Sequence, residues 1–380
     1  MEKVRLGMIG CGMGASCLYG PYFKYLENGE CVAVMDIDPA RAREIQILTG
    51  CPKVYTQLEP MLEDKDIDAV MILTPTNLHV QQVELAAQAG KHVYCEKPMA
   101  RTIEEADRMI DACAHNKVKL QVAFMKRFNP SFLRAKEIID SGRLGEVFEM
   151  RAVWDNARAR TSAKENYRHR LRSGGGFLQE DGSHPIDVCR WWMGDVAEVS
   201  AEVMLVAANR FENEDVGMVA MKHKNGTLSS LHITMLTHRT GMESYEVFGT
   251  KGTLYVRWLF HSTHSIEPAV IELHEHAEHV TDLSLSTSWR VEDELKMRWQ
   301  YLNELRHFCD CVINDKFPSP DGADGRAVVE IINAAYTSAL EDRKVKLPLQ
   351  MSPDYEGLFT SLRAQSRWQI SDQDAWWSRY

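Results

Sequence analysis

The chain has 380 residues, 44% of them apolar, which is enough for two buried cores, and a formal net charge of −10. That acidic balance, with no basic cluster interleaved with aromatics, argues against a polyanion-binding surface and against nucleic acid as a partner. Nine cysteines, scattered singly apart from Cys309 and Cys311, contain no CxxC pair for zinc or a redox couple and read as reduced, mostly buried thiols. Met1 leads straight into strand-like sequence, and no apolar run approaches the roughly 20 residues of a membrane helix. The expectation is a soluble, cytoplasmic protein with no membrane partner.

Residues 4–9 form a short apolar strand, and Gly10-Cys11-Gly12-Met13-Gly14-Ala15 follows at once. This fits a GxGxx(G/A) dinucleotide turn: Gly10 permits the tight bend, Gly12 lets backbone approach a pyrophosphate, and Ala15 allows close packing of the following helix. Met13 and Gly14 complete the turn. A second strand, residues 31–35, ends in Asp36, where a carboxylate would take the ribose hydroxyls of the adenosine half. An acid there repels a 2′-phosphate and no Arg or Lys directly follows it, so NAD is favoured over NADP, although Arg41 could reach back.

The rhythm of short strand, turn and helix then repeats. Residues 69–73 are wholly apolar, as in a parallel strand covered on both faces, and Thr74-Pro75-Thr76-Asn77-Leu78-His79 at its end should meet the cofactor. A helical pattern over 80–90 precedes His92-Val93-Tyr94-Cys95-Glu96-Lys97-Pro98, a strand that Pro98 stops at the sheet rim. Ligands of open parallel sheets bind beyond the carboxyl ends of the strands, so Glu96 and Lys97 face that crevice and Lys97 is the first candidate reacting group. A helix over 102–115 and a strand over 120–124 complete this βαβ domain, residues 1–125.

Beyond Met125 the pattern changes. A helix over 130–141 leads to longer alternating stretches at 146–154, 197–208, 215–222, 227–235, 244–248 and 253–258, the mark of a large, open, mostly antiparallel sheet. Residues 126–350 therefore form an α+β domain, followed by an extension over 351–380 whose Trp368, Trp376 and Trp377 should pack on the sheet or on a neighbouring subunit. Within this domain lies the run Gly174 to Asp187. A helix beginning near 177 puts Glu180, His184 and Asp187 on one face at i, i+4 and i+7, an imidazole flanked by carboxylates, as a general base requires. The same geometry turns Asp181 away. Six residues from His274 to His279, His-Glu-His-Ala-Glu-His, suit a polar strand edge better than a metal site, and no metal is expected.

These residues resemble the glucose-fructose oxidoreductase, inositol 2-dehydrogenase and related (Gfo/Idh/MocA) family over roughly residues 4–340. The resemblance runs through Gly10–Ala15, Asp36, Thr74-Pro75 with His79, Glu96-Lys97-Pro98, Arg127-Phe128-Asn129-Pro130, Gly174–Asp187, Phe248–Leu254, Pro318–Gly322 and Asp324-Gly325. It implies an N-terminal Rossmann domain, a doubly wound parallel sheet, followed by an α+β domain whose open sheet makes oligomer contacts, in a dimer or tetramer. It also implies that the Lys97–Pro98 bond is cis and that Lys97, Glu180 and His184 hold a substrate hydroxyl beside the nicotinamide. Where many relatives carry aspartate four residues before the histidine, this chain has Glu180, with Asp181 beside it. That departure leaves the general chemistry intact and puts the substrate in doubt.

The implied reaction is hydride transfer between NAD and a secondary hydroxyl or ketone of a sugar, glycoside or inositol-like polyol. His184 is the base, Lys97 stabilises the developing alkoxide, and Glu180 orients the imidazole or the substrate. Arg127, Trp154, Arg158, Arg160, Tyr167, Arg168 and Asp187 are candidates to bind the remaining hydroxyls. An NAD-dependent glycosidase using transient sugar oxidation is the alternative, and a non-catalytic NAD-binding regulator a lesser one, since a regulator has no need of Lys97 and His184 together.

Overall fold

The computed structural model describes residues 2–156, 175–209, 211–237, 241–260, 270–276, 279–282 and 299–366. They divide into two units, residues 1–128 with 291–327, and residues 129–290 with 328–380. Among the described residues no helix is long and apolar enough to cross a membrane.

The first unit is built on six parallel strands: β1 (Val4–Ile9), β2 (Gly29–Met35), β3 (Lys53–Tyr55), β4 (Ala69–Ile72), β5 (His92–Cys95) and β6 (Leu120–Val122), in the order β3-β2-β1-β4-β5-β6. This is the doubly wound order, and its topological switch point lies between β1 and β4. Helices α1 (Pro39–Thr49), α2 (Leu58–Leu62), α3 (His79–Gln88) and α4 (Ile103–His115) make the connections. Their ends follow local chemistry. Asp38 caps α1 by accepting from the Ala40 amide with Pro39 as the first helical residue, and Thr102 caps α4 by accepting from the Glu105 amide. The segment after the glycine turn differs from the regular helix the sequence suggested. Gly14–Tyr19 is a π-type turn, with the Gly20 amide returning to the Ala15 carbonyl, and a 3-10 helix over Gly20–Tyr25 follows. Pro21 has no N–H to offer the preceding turn, so a regular α-helix cannot continue through it.

The core of this unit draws on distant sequence. Leu6, Met8, Val34, Met71 and Tyr94 pack with Leu302, Leu305, Phe308 and Cys309, so a helix from beyond residue 298 belongs to the unit that the sequence analysis closed at residue 125. The Pro318–Gly322 loop joins it too: the Val122 amide donates to the Pro320 carbonyl, and a Cβ on Gly322 would crowd Ile110.

The second unit begins with α5 (Pro130–Asp140), capped by Asn129, and β7 (Val147–Asp155). Helices α6 (Phe177–Glu180) and α7 (Ser183–Met193) lead into β8 (Val196–Met204), β9 (Val216–His223), β10 (Leu228–Thr234), β11 (Gly241–Gly249), β12 (Thr253–Phe260), β13 (Val270–His276) and β14 (His279–Asp282). Helix α8 (Trp299–Ile313), which belongs to the first unit, and α9 (Gly322–Glu341), which runs across the division at residue 327, precede β15 (Val345–Lys346) and α10 (Tyr355–Gln365). The nine-stranded sheet runs β14-β13-β12-β11-β7-β10-β9-β8-β15, antiparallel except where β7 and β10 pair in parallel. Alternation is clean: Met150, Ala152 and Trp154 of β7, and Leu231 and Ile233 of β10, are buried on the face that α7 covers. Met204, Met218 and Leu228 lie out in solvent. Part of the C-terminal extension is tied down as well, since Leu358 and Phe359 are buried and Tyr355 packs edge-on against Tyr336. Trp368, Trp376 and Trp377 fall outside the described residues.

Candidate active site

In the first unit the two turns at the switch point meet. Gly10 has φ +93°, and a Cβ there would press on Thr74 and the Leu73 backbone at 3.0–3.1 Å, so only glycine fits. Around Gly12 and Gly14 an added Cβ would meet nothing within 4 Å. That open approach, with buried Ala15 behind it, fits the backbone cradle a pyrophosphate needs. Asp36 ties β2 to this turn: its Oδ2 accepts from the Cys11 amide at 2.8 Å and its Oδ1 from the Asp38 amide at 2.9 Å. Each carboxylate oxygen keeps a second lone pair for a ribose hydroxyl. Burial, with Asp36 nearby, pushes the Cys11 thiol up to about 12, so it is inert. Arg41 lies within 3.5 Å of Asp38 rather than reaching back to Asp36.

His79 and Glu96 fix the rim that carries Lys97. The His79 ring is buried, with Nε2 2.9 Å from the Thr74 carbonyl and Nδ1 3.1 Å from the Pro98 carbonyl. It therefore clamps the turn after β4 to the turn after β5. Pro75 and Asn77 are half-buried on that first turn. Glu96 accepts from the Lys97 amide through Oε2 at 2.9 Å and from the Tyr19 hydroxyl through Oε1 at 2.6 Å. The Tyr19 and Tyr94 hydroxyls are 3.0 Å apart, and Tyr94 donates to Glu304 at 2.7 Å. Burial holds both phenols well above the usual tyrosine range. Lys97 is half-buried and its bond to Pro98 is cis, as the resemblance implied. Arg127 pairs with Asp324 at 3.1 Å within this unit.

The second unit holds the acid–histidine segment, and here one expectation needs correcting. Residues 177–193 are not one helix. Helix α6 ends at Glu180, the Gly182 amide returns five residues to the Phe177 carbonyl, and the His184 amide returns only three to the Asp181 carbonyl before α7 runs on. Gly182 lies so close to the Leu178 carbonyl that a Cβ would collide with it. The 100° step of a regular helix does not cross this break, so it does not by itself put Glu180 and His184 on one face or turn Asp181 away. Glu180, Asp181, His184 and Asp187 are all buried, and His184 and Asp187 share a face of α7 at i, i+3. The Trp154 ring stacks parallel to the His184 imidazole, centroids 5.7 Å apart and planes within 3°.

Asn213 and Glu214 hold this segment from behind. The Asn213 amide donates to the Gly175 carbonyl, and the Phe177 amide donates to the Glu214 carbonyl. Glu214 Oε1 accepts from the Leu178 amide at 2.8 Å and from the Tyr336 hydroxyl at 2.7 Å. A Cβ on Gly176 would collide with the Glu214 carboxyl, which explains that glycine. Burial pushes this carboxyl up to about 8. Sequence reasoning passed over Tyr19, Tyr94, Glu214 and Glu304. Glu304 does leave a trace, as a carboxylate among the buried Leu302, Leu305, Phe308 and Cys309 of α8. Arg158, Arg160, Tyr167 and Arg168 fall outside the described residues. Among the described residues no group of three His, Cys, Asp or Glu could hold a metal ion.

Residues 4–124 match the family described as "Oxidoreductase family, NAD-binding Rossmann fold", and residues 132–255 match the GFO/IDH/MocA C-terminal domain. The chain is 27% identical over 348 residues to myo-inositol 2-dehydrogenase of Thermotoga maritima, covering 90% of this chain and 98% of that protein. It is also 27% identical over 356 residues to D-apiose dehydrogenase of Paraburkholderia graminis, covering 91% and 90%. Its fold matches the WlbA dehydrogenase of Bordetella pertussis, solved with NADH and UDP-GlcNAcA, with TM-score 0.78, 27% identity and coverage of 92% and 99%.

Proposed function

Since the chain belongs to the GFO/IDH/MocA family of oxidoreductases, we propose that Lys97, His184 and Glu180 serve its hydride transfer between NAD and a secondary hydroxyl of a sugar or cyclic polyol. Inositol 2-dehydrogenases are among its relatives, and an inositol-like ring is the proposed substrate class. Net glycoside cleavage is not favoured, since the named relatives are dehydrogenases of sugars and polyols.

NAD, when bound, accepts the hydride; the protein supplies position and charge. Gly12 and Gly14 give backbone access to the pyrophosphate, and Asp36 takes the ribose hydroxyls and disfavours a 2′-phosphate. His184 accepts the hydroxyl proton, because hydride does not leave the carbon readily until that proton is removed or shared. Lys97 donates to the same oxygen and stabilises its growing charge, while Glu180 orients the imidazole or a neighbouring hydroxyl. The observation that carries the reading is the buried imidazole of His184, stacked on the Trp154 indole, in a chain whose Gly10–Ala15 turn is closed by Asp36.

A second copy of the chain is proposed to cover the outer face of the nine-stranded sheet, where Met204, Met218 and Leu228 are exposed by 43%, 50% and 53%. A reducing, cytoplasmic compartment is proposed from the nine free thiols, eight of them buried. The reading is tested by following NAD reduction across a panel of inositols, aldoses and glycosides. Turnover of a cyclic polyol or aldose is expected, and reducing-sugar release from glycosides without net NADH would replace it.

A further inference from the structure

We propose that Trp154 is a positioning residue that works through His184, fixing the imidazole plane and stabilising the positive charge it takes up, rather than donating a hydrogen bond to substrate. The inference rests on the assignment of His184 as the base.

The period-two alternation of β7 brings Trp154 to the same buried face as Met150 and Ala152, and α7 packs on β7 and β10 with His184 in its first turn. The two rings end parallel within 3°, at a centroid separation of 5.7 Å, so the contact is an offset stack. A stack engages the face of the imidazole and neither of its nitrogens, which point outward in the ring plane. Indole therefore sets the plane in which the proton is received, without competing for the proton.

Its second effect follows from charge. As the substrate O–H bond breaks and an N–H bond forms on His184, the oxygen's electron pair becomes the new carbonyl bond and hydride departs to NAD. His184 then carries a positive charge it did not have before. The negative face of an indole attracts that imidazolium more than the neutral ring, and Trp is the strongest of the aromatic side chains in this role. An interaction that grows along the reaction coordinate raises kcat rather than tightening substrate binding.

Two substitutions separate this role from hydrogen bonding to a hydroxyl. Trp154→Phe keeps an aromatic face and loses the N–H; Trp154→Gln keeps a donor and loses the face. With the best substrate of the polyol and aldose panel, Trp154→Phe should stay within about threefold of the parent kcat, and Trp154→Gln should lose about tenfold, with KM and NAD affinity little changed. In a His184→Ala background, Trp154→Gln should add almost nothing, because its partner is already gone. A substrate-free arm uses ring-labelled histidine: the His184 proton resonances, assigned by their loss in His184→Gln, should shift when Trp154→Gln removes the indole ring current and shift less in Trp154→Phe. Retained turnover in Trp154→Gln with loss in Trp154→Phe, additive losses in the double variant, or unmoved histidine resonances would each overturn the proposal. Near-normal turnover in His184→Ala is a different failure, one that removes His184 as the base and leaves the stacking result standing.

Discussion

Lys97 and the Glu180–His184 segment are held in place by different means. Lys97 lies two residues beyond β5, at the rim of a parallel sheet, and its aim is set by main chain: the strand end, Pro98, and the carbonyls of Thr74 and Pro98 that His79 clamps together. The acid–histidine segment does not continue from a strand end; its two helices pack on the face of the nine-stranded sheet. It is a helix interrupted at Asp181-Gly182, seated by a hydrogen bond from Asn213, by amides that donate to Glu214, and by the Trp154 stack. Topology fixes the first, and individual side chains fix the second. The rim should therefore tolerate change in its surroundings, whereas the segment should respond to substitutions far from the chemistry.

The largest effects are expected from removing the two proposed reacting groups. Lys97→Met and His184→Ala should each lower turnover by about two orders of magnitude or more, with NAD binding largely kept, since each removes charge stabilisation or base catalysis and neither touches the glycine turn. Titration calorimetry with NAD beside steady-state rates separates the two quantities; equal loss of both would mean the fold, not the chemistry, was damaged.

The broken helix makes the choice between two adjacent carboxylates the next test. Glu180→Gln is expected to cut turnover by about tenfold or more and Glu180→Asp to reorder substrate preference, while Asp181→Asn stays within about threefold. Both side chains are buried, so burial does not choose between them. If Asp181→Asn proves the crippled variant, the interruption at Gly182 has rotated the functional acid by one residue.

Asp36→Ser probes the side of the comparison governed by topology. It removes the proposed ribose acceptor and also the ties to the Cys11 and Asp38 amides. NAD affinity should fall by about tenfold, with NADP affinity unchanged or improved. Identical losses for both cofactors would show that the carboxylate only braces the turn.

The contrast also explains what could be read from the sequence. Parallel strands buried on both faces, the Gly10–Ala15 turn and the Glu96-Lys97-Pro98 rim are local signals, because each element's pattern and its terminator lie within a few residues. The alternating strands from β7 to β12 were legible for the same reason. Helix α8 was not assigned to the first unit, since nothing within residues 299–313 says which sheet its apolar stripe will cover. The break at Gly182 depends on the approach of the Leu178 carbonyl, and the role of Glu214 on residues nearly 40 positions earlier and more than 120 later. Such contacts are products of the fold, and no window of sequence contains them.

The smallest and most specific effect belongs to Glu214. One carboxyl oxygen accepts from both the Leu178 amide and the Tyr336 hydroxyl, while Oε2 has no hydrogen-bond partner among the described residues. An ionised carboxylate would leave a buried charge on that oxygen, which is why burial pushes the group up to about 8 from its ordinary 4.5. The folded protein thus binds a proton that the unfolded chain releases. The stability this confers is fully present below the unfolded value, and is lost as pH rises through the folded one. Glutamine keeps an acceptor for both donors and cannot ionise. Glu214→Gln should therefore melt at or below the parent near pH 5 and a few degrees above it near pH 9, with the difference growing between those limits. Neighbouring Asp215, which burial pushes up to about 6, titrates in both proteins and largely cancels from the comparison. Melting curves across that range decide the point: a difference that does not vary with pH would mean that Glu214 carries its charge in the folded protein, and that an anion rather than a neutral acid seats the segment bearing Glu180.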